Sequence, residues 1–322
     1  MSERVIDVWT KVRLHCPLAP ANLCRDWVNR AQRLVGSRRP WSHLRLFGQI
    51  TTDNAKNGLV TANRGSTIIL GPGAPTPLFA LSDVGRQLRI GTASPVNTIV
   101  SVDLSNDTAV IQEPWGPLSV VAAQSTILDA FVTMPKDFNR FLGIIDPVNN
   151  WQLHFYMTEA QLNRWDPKRV STTTPWALVS RGYSALEATL GQPQYELWPY
   201  TTAAKFYPYA GIKQPKVLGD LDPLEGPFQY RPDVLELYCL SEAASWPGPS
   251  FDQKNVYFNL ANAAQKRADF ENELWILEQR DDEIYPMLKE SVSWLNLPFA
   301  PLDSRFMQEH DAYSLGLVSS YF

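Results

Sequence analysis

Cysteine is scarce in this chain of 322 residues, which holds only Cys16, Cys24 and Cys239. An odd and sparse set fits free thiols in a reducing compartment. Cys16 and Cys24 lie too far apart for a redox or zinc knuckle, and all three read as buried thiols. Long apolar runs are missing too. Met1 to Leu23 has no unbroken apolar stretch, so no signal peptide is expected and synthesis is assigned to the cytoplasm. Leu118 to Val132 leans apolar, but it contains Gln124, Ser125, Thr126 and Asp129, and is too short and too polar to span a membrane.

Catalytic signatures are also lacking. His15, His43, His154 and His310 are far apart, and none has a Cys, Asp or His at metal-ligand spacing. Gly71-Pro72-Gly73 lacks the third glycine, the lysine and the following helix of a phosphate-cradling loop, and reads as a turn. Gly65-Ser66 has no matching glycine after the serine, so it is no nucleophile elbow. No cofactor, no metal site and no enzymatic activity are expected. A net charge of −4, from 29 basic and 33 acidic residues, gives no global attraction to nucleic acid. A wall lining a DNA passage could still carry this charge, because it must not grip what slides past.

What is present is a globular composition: 44% hydrophobic, 19% charged, with 11 Trp and 25 Pro. Tryptophan suits broad packed surfaces, whether cores or subunit contacts, and proline suits irregular connections between short elements. Leu23, Trp27, Ala31 and Leu34 define one helical face after Pro20, with Gly36 as the expected stop. From about Gly48 the period changes. Leu59–Ala62, Ser66–Leu70, Arg86–Ile90, Asn97–Val102 and Thr108–Ile111 read as short strands of an antiparallel sandwich or barrel, separated by turn residues. Met134 to Phe228 is mixed, with a short helix over Glu159–Trp165 and aromatic strands near Tyr195–Tyr200 and Ala204–Tyr209. Pro232 opens a helix to Trp246. A second, longer helix is expected from about Val256 to Tyr285, about 45 Å at 1.5 Å per residue.

The expected fold class is α+β: a helical bundle formed by the N- and C-terminal segments, a large inserted antiparallel β-rich domain, and an extended C-terminal arm. The expected division is 1–49 and 229–296 for the helical domain, 50–228 for the β-rich insertion, and 297–322 for the arm. The arm has no period, yet carries Phe299, Phe306, Tyr313, Tyr321 and Phe322. Such density in an aperiodic tail points to docking on another surface, a neighbouring subunit or partner, with packing back on its own chain as the alternative.

Three polar features stand out. Arg38-Arg39-Pro40-Trp41 reads either as a basic interface patch with an aromatic anchor, or as a helix C-terminal pair facing the dipole with Trp41 in the core. The run Asp281-Asp282-Glu283 reads as a solvated helix face, since adjacent helical residues cannot converge on one ion. Arg86 and Arg89 read as ordinary exposed strand residues.

A set of soft motifs, taken in order, resembles a known family. They are the helix ending in Ser37-Arg38-Arg39-Pro40-Trp41-Ser42, the β unit Gly58–Leu70 with Val84–Ile90 and Asn97–Asp103, Met134-Pro135-Lys136-Asp137-Phe138, and the pair Arg231–Trp246 and Asn255–Ala261. Nearly the whole chain is similar in this sense to tailed-phage neck proteins, the head-to-tail connector or adaptor subunits. The resemblance implies a virion structural protein made in the host cytoplasm. It implies a ring of about a dozen copies between portal and tail, through which DNA passes. The implied partners are the portal protein, a downstream tail or nozzle protein, other copies of itself, and transiently the DNA; no membrane anchor is implied. Arg38, Arg39, Trp41, Phe299, Phe306, Tyr313, Tyr321 and Phe322 are the interface candidates. The alternatives are another neck or tail component (nozzle, stopper or tail-tube subunit) or a glycan-binding β-sandwich protein.

Overall fold

The computed structural model describes residues 3–73, 75–91, 96–250 and 252–284. The chain forms two compact units: one runs through Arg45 and resumes at Ile212, and the other is Leu46–Gly211.

The first unit is built on helices. Helix α1 (Val5–His15) buries Val5, Val8 and Val12, one stripe at helical spacing. Asp7 accepts from the Arg4 amide at 2.8 Å and closes its first turn. Helix α2 (Ala21–Arg38) buries Cys24, Trp27, Val28, Ala31 and Val35. It does not stop at Gly36 as expected, but continues for two residues. That glycine serves close approach instead, since a Cβ there would sit 2.1 Å from Pro215 Cγ.

The chain then enters the second unit through β1 (Arg45–Thr52). Strands β2 (Lys56–Ala62), β3 (Ile68–Leu70), β4 (Gln87–Ile90), β5 (Asn97–Asp103), β6 (Thr108–Ile111) and β7 (Val120–Leu128) close into a barrel in the order β2-β3-β6-β5-β4-β7. Alternate residues point inward and form its core, with Val60, Ile69, Leu88, Ile99, Ile111 and Ile127 all buried. The loop beside it is organised by Asp107, which stands at φ 47° and is 3% exposed. Its carboxylate accepts from the amides of Gly73 at 2.9 Å and of Leu78 and Phe79 at 3.0 Å.

Two further sheets follow from β8 (Phe131–Thr133), β9 (Phe138–Asp146), β10 (Trp151–Gln152), β11 (His154–Met157), helix α3 (Glu159–Trp165), β12 (Ala177–Tyr183), β13 (Pro193–Trp198) and β14 (Lys205–Lys213). Their orders are β1-β14-β9-β10 and β11-β12-β13-β8. Ile50, Phe138, Phe141 and Tyr209 of the first share one core with Val132, Leu178 and Leu197 of the second, so the sheets pack face to face.

Helices α4 (Pro232–Ser245) and α5 (Leu260–Ile284) complete the first unit. α4 is buried on most sides, through Val234, Leu235, Tyr238, Cys239 and Ala243, because α1, α2 and α5 all pack on it. α5 begins four residues later than expected from its apolar pattern. The Asn259 carboxamide oxygen accepts from the amides of Ala261 at 3.0 Å and Asn262 at 3.1 Å, and this cap fixes the start at Leu260. The preceding residues are held by Asn255, whose side chain donates to the Ala243 and Trp246 carbonyls at 2.7 and 2.8 Å.

The expected fold class therefore needs correction. Strands dominate, with fourteen against five α-helices among the described residues. The β structure is not one antiparallel insertion but a closed six-stranded barrel plus two four-stranded sheets, and β11 runs parallel to β12. Helices α1, α2 and α5 pack on α4, while α3 packs on β12, and the helices do not set the architecture as a bundle of the two chain ends would. The misreading came from Met134 to Phe228, where strands such as β9 and β12 mix buried and exposed positions without the alternation that marks a strand. The extended C-terminal arm lies outside the described residues.

Candidate functional site

The Arg38–Trp41 segment meets the second half of α5. Arg38 pairs with Glu271 and, at 2.9 Å, with Glu278. Arg39 donates to the Glu278 carbonyl at 2.9 Å and pairs with Asp282, with Asp281 3.7 Å away. The next residues finish the join, as the Ser42 amide and hydroxyl both donate to the Asp281 carboxylate. Trp41 is fully buried, donates its indole N–H to the Val35 carbonyl at 2.7 Å, and carries the Arg39 guanidinium 5.3 Å from its ring centroid. Both arginines are thus engaged within their own unit, and Trp41 is a core residue. The acidic run is a solvated face only at Glu283: Asp281 is 7% exposed and Asp282 pairs with Arg39. The remaining interface candidates, Phe299, Phe306, Tyr313, Tyr321 and Phe322, lie outside the described residues.

His43 stands at the same junction, with its ring 6.1 Å from that of Trp41 and its Nδ1 buried without a hydrogen-bond partner. Burial pushes its pKa down to about 4; Asp281 opposes that shift and Lys213 adds to it. Gly226 is forced by this ring, since a Cβ there would lie 2.3 Å from His43 Cγ.

Two polar networks lie in the second unit. In one, Arg86 pairs with Asp129 at 2.8 Å and with Asp83 at 3.3 Å, and Lys56 reaches Asp83 at 2.7 Å. Arg86 and Arg89 are 7% and 8% exposed, which corrects their reading as exposed strand residues. Arg89 donates to the Arg169 carbonyl at 3.0 Å. In the other, the buried Glu196 carboxylate takes Arg169 Nε at 2.7 Å and the Tyr200 hydroxyl at 2.9 Å. Burial and then Glu196 raise the Tyr200 pKa. No local pattern could have revealed these partners, because 27 residues separate Arg169 from Glu196.

These groups hold one another in ion pairs and hydrogen bonds. Among the described residues no group of three His, Cys, Asp or Glu is placed to hold a metal ion. The three thiols are free and buried, and burial pushes Cys24 up to about 11 and Cys239 well above its ordinary value, which leaves them unreactive. No described helix is long and apolar enough to cross a membrane.

The remaining candidate is a surface. On the barrel, Leu59, Ile68, Leu70 and Val100 point outward and are 41–51% exposed. A Trp cluster stands on the sheet that ends in β8: Trp165, 53% exposed, lies 5.9 Å from Trp176, which lies 4.8 Å from Trp198. These are packing surfaces with apolar and aromatic character, the composition of interface cores. No protein-family model matches the chain, and no curated protein is significantly similar to it.

Proposed function

We propose that this chain is a structural adaptor subunit of a tailed-phage head-to-tail connector, one of a ring of copies between portal and tail through which DNA passes. The observation that carries this reading is the exposed apolar outer face of the barrel. A soluble chain gains nothing from water around Leu59, Ile68 and Leu70 unless another surface covers them. Polar groups elsewhere are spent on internal ties, which suits a subunit that must hold its shape under load.

The portal above, a tail or nozzle protein below and neighbouring copies are the partners on this reading, and the DNA is touched only in passing. The test is electron microscopy of the purified chain mixed with portal rings from the same phage. The expected image is a second ring stacked coaxially on the portal. Portal rings that stay bare at saturating concentrations of the chain would refute the adaptor role.

A further inference from the structure

A cavity of about 10 Å³ lies beside α2, among Gln32, His43 and Glu225, with Val35, Pro215 and Phe228 also lining it. All six residues belong to the helical unit. Two close approaches set its walls. Gly36 lies against Pro215 and Gly226 against the His43 ring, where added Cβ atoms would come within 2.1 and 2.3 Å. Glycine at both positions lets the segments come this near, so the shape of the space is set by backbone packing.

Two polar atoms at this cavity have no hydrogen-bond partner in the protein. Gln32 is 4% exposed and its Nε2 is buried without a bond. His43 Nδ1 is buried in the same way. A buried polar nitrogen is costly to leave unpaired, and native folds seldom keep one. Two of them on one cavity point to a shared occupant.

We infer that one ordered water molecule binds in this cavity and bridges Gln32 to His43, with Glu225 as its third neighbour. Size and chemistry both select it. A space of about 10 Å³ takes about one water and no larger ligand. The occupant must also meet a carboxamide and an imidazole at once. Burial keeps His43 neutral near pH 7, so its ring offers one donor and one acceptor. A bare cation could only take lone pairs and a simple anion could only take protons. Water does both, so it suits the pair whichever tautomer His43 holds and whichever way the Gln32 amide is turned. In the arrangement as it stands, water accepts from Gln32 Nε2–H and donates to His43 Nδ1. The bridge then ties α2 to the turn Ser42–Leu44, the last turn before β1. It does not depend on the ring reading above.

The first experiment is a crystal structure of the full chain at a resolution that shows ordered solvent. One water within about 2.7–3.2 Å of both Gln32 Nε2 and His43 Nδ1 is the expected result. No density there, or a direct bond between the two side chains, overturns the proposal. The second is water relaxation dispersion by magnetic resonance, which counts long-lived waters in solution, for wild type, Gln32→Leu and His43→Phe. Each variant should hold one long-lived water fewer than wild type. An unchanged count in both overturns the site, and a loss in only one overturns the bridge, since that side chain would then hold the water alone. If a variant fails to fold, the wild-type crystal decides.

Discussion

The Arg38–Arg39 join and the Arg169–Glu196 network use the same chemistry in opposite settings. In the first, two arginines spread over Glu271, Glu278, Asp281 and Asp282, and Arg38 stays 41% exposed. In the second, one carboxylate at 1% exposure serves both Arg169 and Tyr200. The difference is one of redundancy. Water and spare partners soften the loss of any single group at the join, while the loss of Glu196 leaves the buried Tyr200 hydroxyl and the Arg169 Nε without their acceptor, although the Arg169 terminal nitrogens keep the Asp166 carbonyl and Asn163.

The largest effect should therefore come from Glu196→Ala. Removing one partner of a buried pair costs about 3–5 kcal/mol, so the second unit should unfold at much lower denaturant, read by circular dichroism. Glu196→Gln, which keeps one acceptor, should recover part of that. Near-wild-type stability of the alanine variant would mean that the network is open to water.

Next comes acid. The unfolded chain protonates His43 near 6.5, but the fold resists this until about 4. Because the folded pKa is depressed, the contribution is complete above 6.5 and is lost as pH falls from 6.5 toward 4. The slope is about 1.4 kcal/mol per pH unit, about 3 kcal/mol in all. His43→Gln should flatten that part of the stability curve. An unchanged slope would place the acid response elsewhere.

Asp281→Ala should cost about 1–3 kcal/mol, because the Ser42 amide and hydroxyl lose their acceptor. Faster amide exchange at the end of α5 and around Ser42 would report it. Arg38→Ala should cost under about 1 kcal/mol, and less in high salt, as half-exposed ion pairs do. If it cost as much as Glu196→Ala, redundancy would not be what separates the two regions.

The legible parts of the chain share one property, a periodic pattern with one wet face. The stripe Leu23, Trp27, Ala31 and Leu34 marks α2 for that reason, and the short runs from Leu59 to Ile111 mark five strands of the barrel. β9 and β12 were not legible, since each mixes buried and exposed positions without alternation. α1 was missed because its stripe is only three valines long. Among candidate site residues, Trp41 and Asp281 show the limit. Their types and neighbours were visible, but the joining of α2 to α5 depends on residues more than 230 positions apart.

The sequence by itself determined the free thiols, the helix stripes, the barrel strands and their turns, because each is settled by residues a few positions apart. Tertiary structure alone decided that Arg86, Arg89 and Asp281 are buried and that Leu59, Ile68 and Leu70 on the barrel are exposed. The physical reason is that burial and ion pairing are set by what packs opposite a residue, and that partner has no fixed distance along the chain.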